Sequence, residues 1–138
     1  MSALDDARAL LQSKSTRIAV VGASNAPSKF GNIILKDMIR HGYEVIPVNP
    51  TEKQVAGIPA VATLADIATP PDIVDVVTQP EVTRQILKDA AAAGCRLVWL
   101  QPGSFDDAVL KDAGRAPFAT VDDACIMVEA RRVAPRKT

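Results

Sequence analysis

Five short apolar runs punctuate the chain: Arg17–Val21, Glu44–Val48, Asp72–Val77, Leu97–Leu100 and Phe118–Val121. They are rich in Val and Ile, and most do not alternate with polar residues. Continuous runs of this kind suit strands covered on both faces, as in a parallel sheet. Helical patterns fill the spaces between them. Phe30, Ile33, Ile34 and Met38 share one helix face, and His41-Gly42 closes that helix. Val82, Ile86, Leu87 and Ala90 form a second stripe that ends at Gly94. At its start, Thr78 and Glu81 have capping-box spacing and Pro80 lies in the first turn. A shorter helix is predicted over Asp106–Asp112, opened by Ser104 or Gly103, and an N-terminal one over Leu4–Lys14 packs outside the sheet.

Strands alternating with helices imply βαβ units with right-handed crossovers. The expected fold is therefore α/β, Rossmann-like and doubly wound. Its mostly parallel sheet has five or six strands, with helices on both faces and an order of 3-2-1-4-5 or close to it. The segment Gln54–Ile67 breaks the rhythm. Val55–Pro59 is too short and too rich in Gly and Pro for a good strand, and Thr63–Ile67 suits one helical turn. The expected organisation is an N-terminal helix over residues 1–15, one domain over 16–130 and a basic, frayed tail over 131–138.

Composition narrows the function. A chain of 138 residues holds one domain with its own core. Lys plus Arg and Asp plus Glu both number 16, so there is no net charge to draw nucleic acid or an anionic membrane. No apolar run nears the roughly 20 residues of a membrane span. The first residues, MSALDDARALLQSK, have early acids and no apolar centre, unlike a signal peptide. Cys95 and Cys125 lack C-x-x-C spacing and read as reduced thiols of a cytoplasmic protein. The single His41, at a helix end, excludes a multi-histidine metal site. Trp99 reads as core, and Asp75, inside a central strand, is expected to take hydrogen bonds from a neighbouring loop. No Ser/His/Asp or Cys/His pair is evident, so binding is favoured over catalysis.

In open α/β sheets, ligands bind beyond the carboxyl ends of the strands, where strand order reverses. The loops there are Gly22–Gly31, Asn49–Lys53, Thr78–Glu81 and Gln101–Phe105. The first reads GASNAPSKFG and contains no G-x-G-x-x-G. Gly22 still permits a turn off the strand. The helix start, the Ser24 and Ser28 hydroxyls and Lys29 suit a phosphate. A side chain at Gly22 is expected to block the ligand and leave the fold intact. The second loop has Val48-Asn49-Pro50 where an NAD site carries an acid for the ribose, and Lys53 follows. A lysine there favours a phosphate on the ribose, which NADP or coenzyme A supplies.

The order VVGAS, GYEVIPVNP, GIPA, DIVDVV, TQPE and AAAGCRLVWLQPG resembles the CoA-binding domain family from about Thr16 to Glu129. That family includes small stand-alone CoA-binding proteins and the N-terminal domain of the succinyl-CoA synthetase alpha subunit. GYEVIPVNP and VWLQPG favour the stand-alone group. The resemblance implies that Gly22, Ala23 and Ser24 contact the pyrophosphate, with Lys29 beside it. It implies that Val48, Asn49 and Pro50 border the adenosine and that Lys53 faces the 3′-phosphate. Thr78, Gln79 and Pro80 would line the adenine or pantetheine path. Gln101, Pro102 and Gly103 would close the far side. VDDACIMVE resembles the family's terminal D-x-C-I stretch, which implies that Cys125 approaches the cleft, whereas the residues alone favour a buried, inert thiol. Asn25 and Phe30, from the first loop, complete the candidate cofactor set. The ligase reaction does not come with the resemblance, because ligase relatives pass phosphate through a histidine of a separate domain. The leading reading is non-catalytic binding of coenzyme A or an acyl-CoA by a monomer or homodimer. The alternatives are an NADP- or NAD-type regulatory module and an interaction subunit with a vestigial nucleotide site.

Overall fold

A computed structural model describes residues 2–133. The central sheet has five parallel strands: β1 (Arg17–Val21), β2 (Glu44–Val48), β5 (Ile73–Val76), β6 (Leu97–Leu100) and β7 (Ala119–Val121). Between β2 and β5 the chain makes a two-residue hairpin, β3 (Gln54–Val55) with β4 (Ile58–Pro59), then a 3-10 turn over Leu64–Asp66. The helices are α1 (Ala3–Leu11), α2 (Phe30–Arg40), α3 (Pro80–Ala92), α4 (Asp107–Gly114) and α5 (Ile126–Val133).

The sheet order is β2-β1-β5-β6-β7. Counted along the five apolar runs this is 2-1-3-4-5, so the third run pairs with β1 and not beyond β2. The reason lies in Gln54–Ile67, which supplies no long strand for the β2 edge. One bridge from Val61 covers that edge, and the chain crosses to the other side of β1. Strand order therefore reverses between β1 and β5.

Period-two alternation sends side chains to two cores. On one face, Ile18, Val20, Ile73, Trp99 and Val121 pack with Ala7, Leu11, Ile34, Leu35, Met38, Ile126 and Ala130 of α1, α2 and α5. On the other, Ala19, Val21, Val74, Val76, Val98 and Leu100 pack with Leu87, Ala90, Val109 and Ala113 of α3 and α4, and with Leu64. Trp99 is buried as expected and donates its indole N–H to the Ala124 carbonyl at 2.8 Å.

Several helix ends differ from expectation. α3 begins at Pro80, so Gln79 is its N-cap and Glu81 falls one position short of a capping box. Thr78 instead pairs its hydroxyl with that of Thr83 at 2.8 Å. α4 is capped by Asp106, whose carboxylate accepts from the Val109 N–H, while Ser104 bonds the Gln101 carbonyl. α1 stops at Leu11 and starts from a capping box of Ser2 with Asp5. α5 was not anticipated. It carries Arg131, Arg132 and Val133 of the basic tail, and the rest of that tail lies outside the described residues. Its buried Glu129 accepts from Arg8 of α1 at 2.8 Å and lies 3.5 Å from Arg132.

Candidate functional site

The loop after β1 is held by its own side chains. Gly22 leaves the strand with φ of +97° and donates to the Val48 carbonyl, a left-handed conformation that glycine alone adopts without strain. The Ser24 hydroxyl accepts from the Ala26 N–H, and Asn32 of α2 donates to the Ser24 carbonyl. Gly31 presses α2 against the turn so closely that a Cβ there would lie 1.9 Å from the Gly22 carbonyl oxygen. In the common dinucleotide loop the third glycine permits this helix–strand approach. Here Gly31 does so from nine positions after Gly22.

The loop after β2 is tied to the same turn. Asn49 donates to the Ala23 carbonyl at 2.9 Å, and its oxygen accepts from the Thr51 and Glu52 N–H groups. Asn25 donates to the Gln54 carbonyl and to the Glu52 carboxylate, and accepts from the Ala56 N–H. These bonds bring the exposed Lys53 alongside the first loop, where Lys29 is also exposed. Both asparagines thus serve the protein's own loops. Glu52 is the carboxylate of this region, and Asn25 already engages it.

A cavity of about 280 Å³, lined mainly by carbon, opens at the switch point. Phe30, Val77, Thr78, Gln79, Gln101, Pro102, Gly103 and Cys125 line it. All of these were candidates except Val77, whose place at a strand end looks purely structural in the sequence. Gly22, Ala23, Ser24, Asn25, Lys29, Val48, Asn49, Pro50, Lys53 and Pro80 are not among its lining. They belong to the two tied loops and to the first turn of α3.

Gln101, Pro102, Gly103 and Ser104 form a tight turn closed by the Ser104 N–H on the Gln101 carbonyl. Pro102 and Gly103, with φ of +92°, occupy the positions that a type II turn reserves for them. The buried Gln101 side chain accepts from the Ile126 N–H at 3.0 Å and donates to the Cys125 sulfur at 3.5 Å. It therefore fixes the start of α5 and the thiol beside the cavity. Cys95 is buried elsewhere, and burial pushes its thiol up.

Besides α5, whose start Gln101 holds, two helices begin at this cavity, and neither has a side-chain cap. At α2 the N-cap is Lys29, and the Phe30 and Gly31 N–H groups stay open. At α3 the N-cap is Gln79, and Pro80 has no N–H to cap. By contrast α1, α4 and the 3-10 turn are closed by Ser2, Asp106 and Asp66. Open N–H groups at the positive end of a helix dipole suit an anion such as a pyrophosphate. A Cβ at Gly22 would lie 2.9 Å from Val77 Cγ2, so a side chain there strains the fold as well as the site.

His41 and Asp75 are not among the cavity lining. His41 caps the far end of α2, 3.7 Å from Asp37. Asp75 lies in β5 two residues before the cavity-lining Val77, between Val20 and Trp99 in register. It is fully buried, and neither carboxyl oxygen has a hydrogen-bond partner, contrary to expectation. Burial alone pushes its pKa well above the ordinary carboxylate range. No neighbouring loop reaches it, because α2 and α5 cover that face of the sheet with hydrocarbon. Among the described residues there is no cluster of His, Cys, Asp or Glu that would hold a metal, and no helix is long and apolar enough to cross a membrane.

The fold is thus a doubly wound, Rossmann-like parallel sheet with a glycine turn, open helix starts and a cavity at its switch point. The chain belongs to the CoA-binding domain family, whose pattern it matches over residues 16–131. It is 36% identical over 118 residues to the uncharacterised protein YneT of Bacillus subtilis, covering 83% of this chain and 85% of that one. It is 31% identical over 91 residues to the alpha subunit of an ADP-forming acetate–CoA ligase II of Pyrococcus furiosus, covering 65% of this chain and 20% of the subunit. A solved structure from Thermus thermophilus, cell-free ID.343, superposes with a TM-score of 0.82 at 35% identity and covers 96% of this chain and 99% of its own.

Proposed function

We propose that this protein binds coenzyme A or an acyl-CoA without acting on it. The uncapped start of α2, opening onto the cavity in a CoA-binding domain, carries this reading. The residues fit such a ligand. The pyrophosphate sits against the Phe30 and Gly31 N–H groups beside Gly22–Ser24 and Lys29. The adenosine lies along Val48–Pro50, with its 3′-phosphate toward Lys53. The pantetheine arm follows Thr78–Pro80 into the cavity bounded by Gln101–Gly103. When bound, the ligand supplies a thiol or thioester at the cavity end. The protein's part is to hold it and to exclude water there.

Calorimetry is expected to show CoA bound in the micromolar range, about −8 kcal/mol, and NAD at least tenfold more weakly. Tighter binding of NAD than of CoA overturns the reading. Lys53→Ala is expected to weaken CoA about two- to fivefold, a solvent-screened contact, and to leave dephospho-CoA at its wild-type affinity. An equal loss for both ligands assigns Lys53 elsewhere.

Cys125 bears on the orientation of the arm. With the ligand thiol at the cavity end, a Cys125 thiolate attacks CoA disulfide, forms a protein–CoA disulfide and releases one CoA thiol. Intact mass after incubation with CoA disulfide is expected to show one CoA adduct, present in Cys95→Ser and lost in Cys125→Ser. An adduct that follows Cys95, or none, turns the arm away from Cys125.

A further inference from the structure

We infer that the cavity takes the acyl group of an acyl-CoA, and that this group is an uncharged hydrocarbon chain longer than acetyl. The inference rests on the coenzyme A reading and names the ligand's variable end. None of the cavity-lining residues carries a charge. The polar side chains deepest in the lining are already engaged, Thr78 with Thr83 and Gln101 with Cys125 and Ile126. A carboxylate brought there would lose its water and gain no cation, a costly exchange. The helix starts offer it no help: that of α2 holds the pyrophosphate in the coenzyme A reading, and that of α3 already carries an acid, Glu81.

Apolar surface also continues outward from the cavity. The exposed large hydrophobic residues among those described are Phe30, Ile33 and Val82. Phe30 lines the cavity and Ile33 follows one turn later in α2, while Val82 lies in the first turn of α3. All three therefore belong to the two helix starts that border the cavity. Exposed apolar side chains on the helices whose starts border a cavity mark a binding surface. An aliphatic chain leaving the cavity along α2 or α3 would cover them.

The experiment is a calorimetric series with CoA, acetyl-, butyryl-, octanoyl- and succinyl-CoA. Each buried methylene tightens binding about fourfold at most. Butyryl-CoA is expected to bind about tenfold tighter than acetyl-CoA, and octanoyl-CoA at least as tightly as butyryl-CoA. Succinyl-CoA has as many acyl carbons as butyryl-CoA and ends in a carboxylate. It is expected to bind at least tenfold more weakly than butyryl-CoA. Ile33→Ser and Val82→Ser are expected to collapse the octanoyl-to-acetyl ratio. CoA binding with a flat acyl series, or succinyl-CoA equal to butyryl-CoA, overturns this inference and leaves the CoA reading standing. No binding of any of the five overturns both. If the serine variants leave the ratio intact and instead dissociate a dimer in sedimentation, the apolar rim belongs to a second copy of the chain and the inference falls.

Discussion

Gly31→Ala is expected to cost about 3 kcal/mol or more and to lower the midpoint of thermal unfolding by about 10 °C. The residue is helical and its backbone needs no special freedom, so propensity alone would favour the alanine. Space decides the sign. The new methyl would lie 1.9 Å from the Gly22 carbonyl oxygen, 2.9 Å from its carbon and 3.2 Å from the Ala23 Cα. All three are backbone atoms that cannot rotate away. To admit the methyl, α2 must lift from the end of β1 and carry the Phe30 and Gly31 N–H groups with it. CoA affinity should therefore fall in parallel with stability. Gly114→Ala is the control, because a Cβ there meets nothing within 4 Å near the end of α4. It is expected to be neutral or to stabilise by up to about 1 kcal/mol. Thermal unfolding of both variants, with titration of CoA, tests the argument. A stable, fully binding Gly31→Ala would refute the tight approach of α2 to the turn.

The second large effect has the opposite sign. Asp75→Val is expected to raise stability at pH 7 by about 2 kcal/mol, or about 6 °C. An unpartnered buried polar group costs roughly that much, and valine suits a strand whose neighbours in register are Val20 and Trp99. The pH dependence follows from the raised pKa. The folded state holds this proton more tightly than the unfolded chain does, so folding is favoured most in acid. Stability declines once pH passes the ordinary carboxylate range, and the decline continues until the buried group itself ionises. The advantage of Asp75→Val should therefore widen from pH 4 to pH 8, and Asp75→Asn should lose the slope while keeping a buried polar group. Denaturant unfolding across that range checks both. If Asp75→Val is less stable at every pH, the carboxyl has a partner and the account of its burial is wrong.

The sequence carried the strands well because Val- and Ile-rich runs depend on local burial alone. Their ends moved by a residue where a side chain intervened, as at Asp72, whose carboxylate accepts from the Arg17 N–H outside β5. Strand order was not legible, since nothing local says whether the third run joins β1 or passes beyond β2. α5 escaped because Glu129 and two arginines mask its stripe, although Ile126, Ala130 and Val133 stand at i, i+4 and i+7. Of the candidate ligand residues, Phe30, Thr78, Gln79, Gln101, Pro102, Gly103 and Cys125, which lie in separate stretches of the sequence, come together around one cavity. At Asn25 and Asn49 the sequence shows only polar residues in loops, and the geometry adds that both side chains brace those loops.

The ion pair between Arg8 and Glu129 ties the first helix to the elements around the cavity. Glu129 sits in α5, and the first residue of α5 is held by Gln101, which lines the cavity. Two steps of contact thus separate Arg8 of α1 from the cavity lining. Trimming the first helix would leave the buried Glu129 with Arg132 alone and loosen the element that presents Cys125.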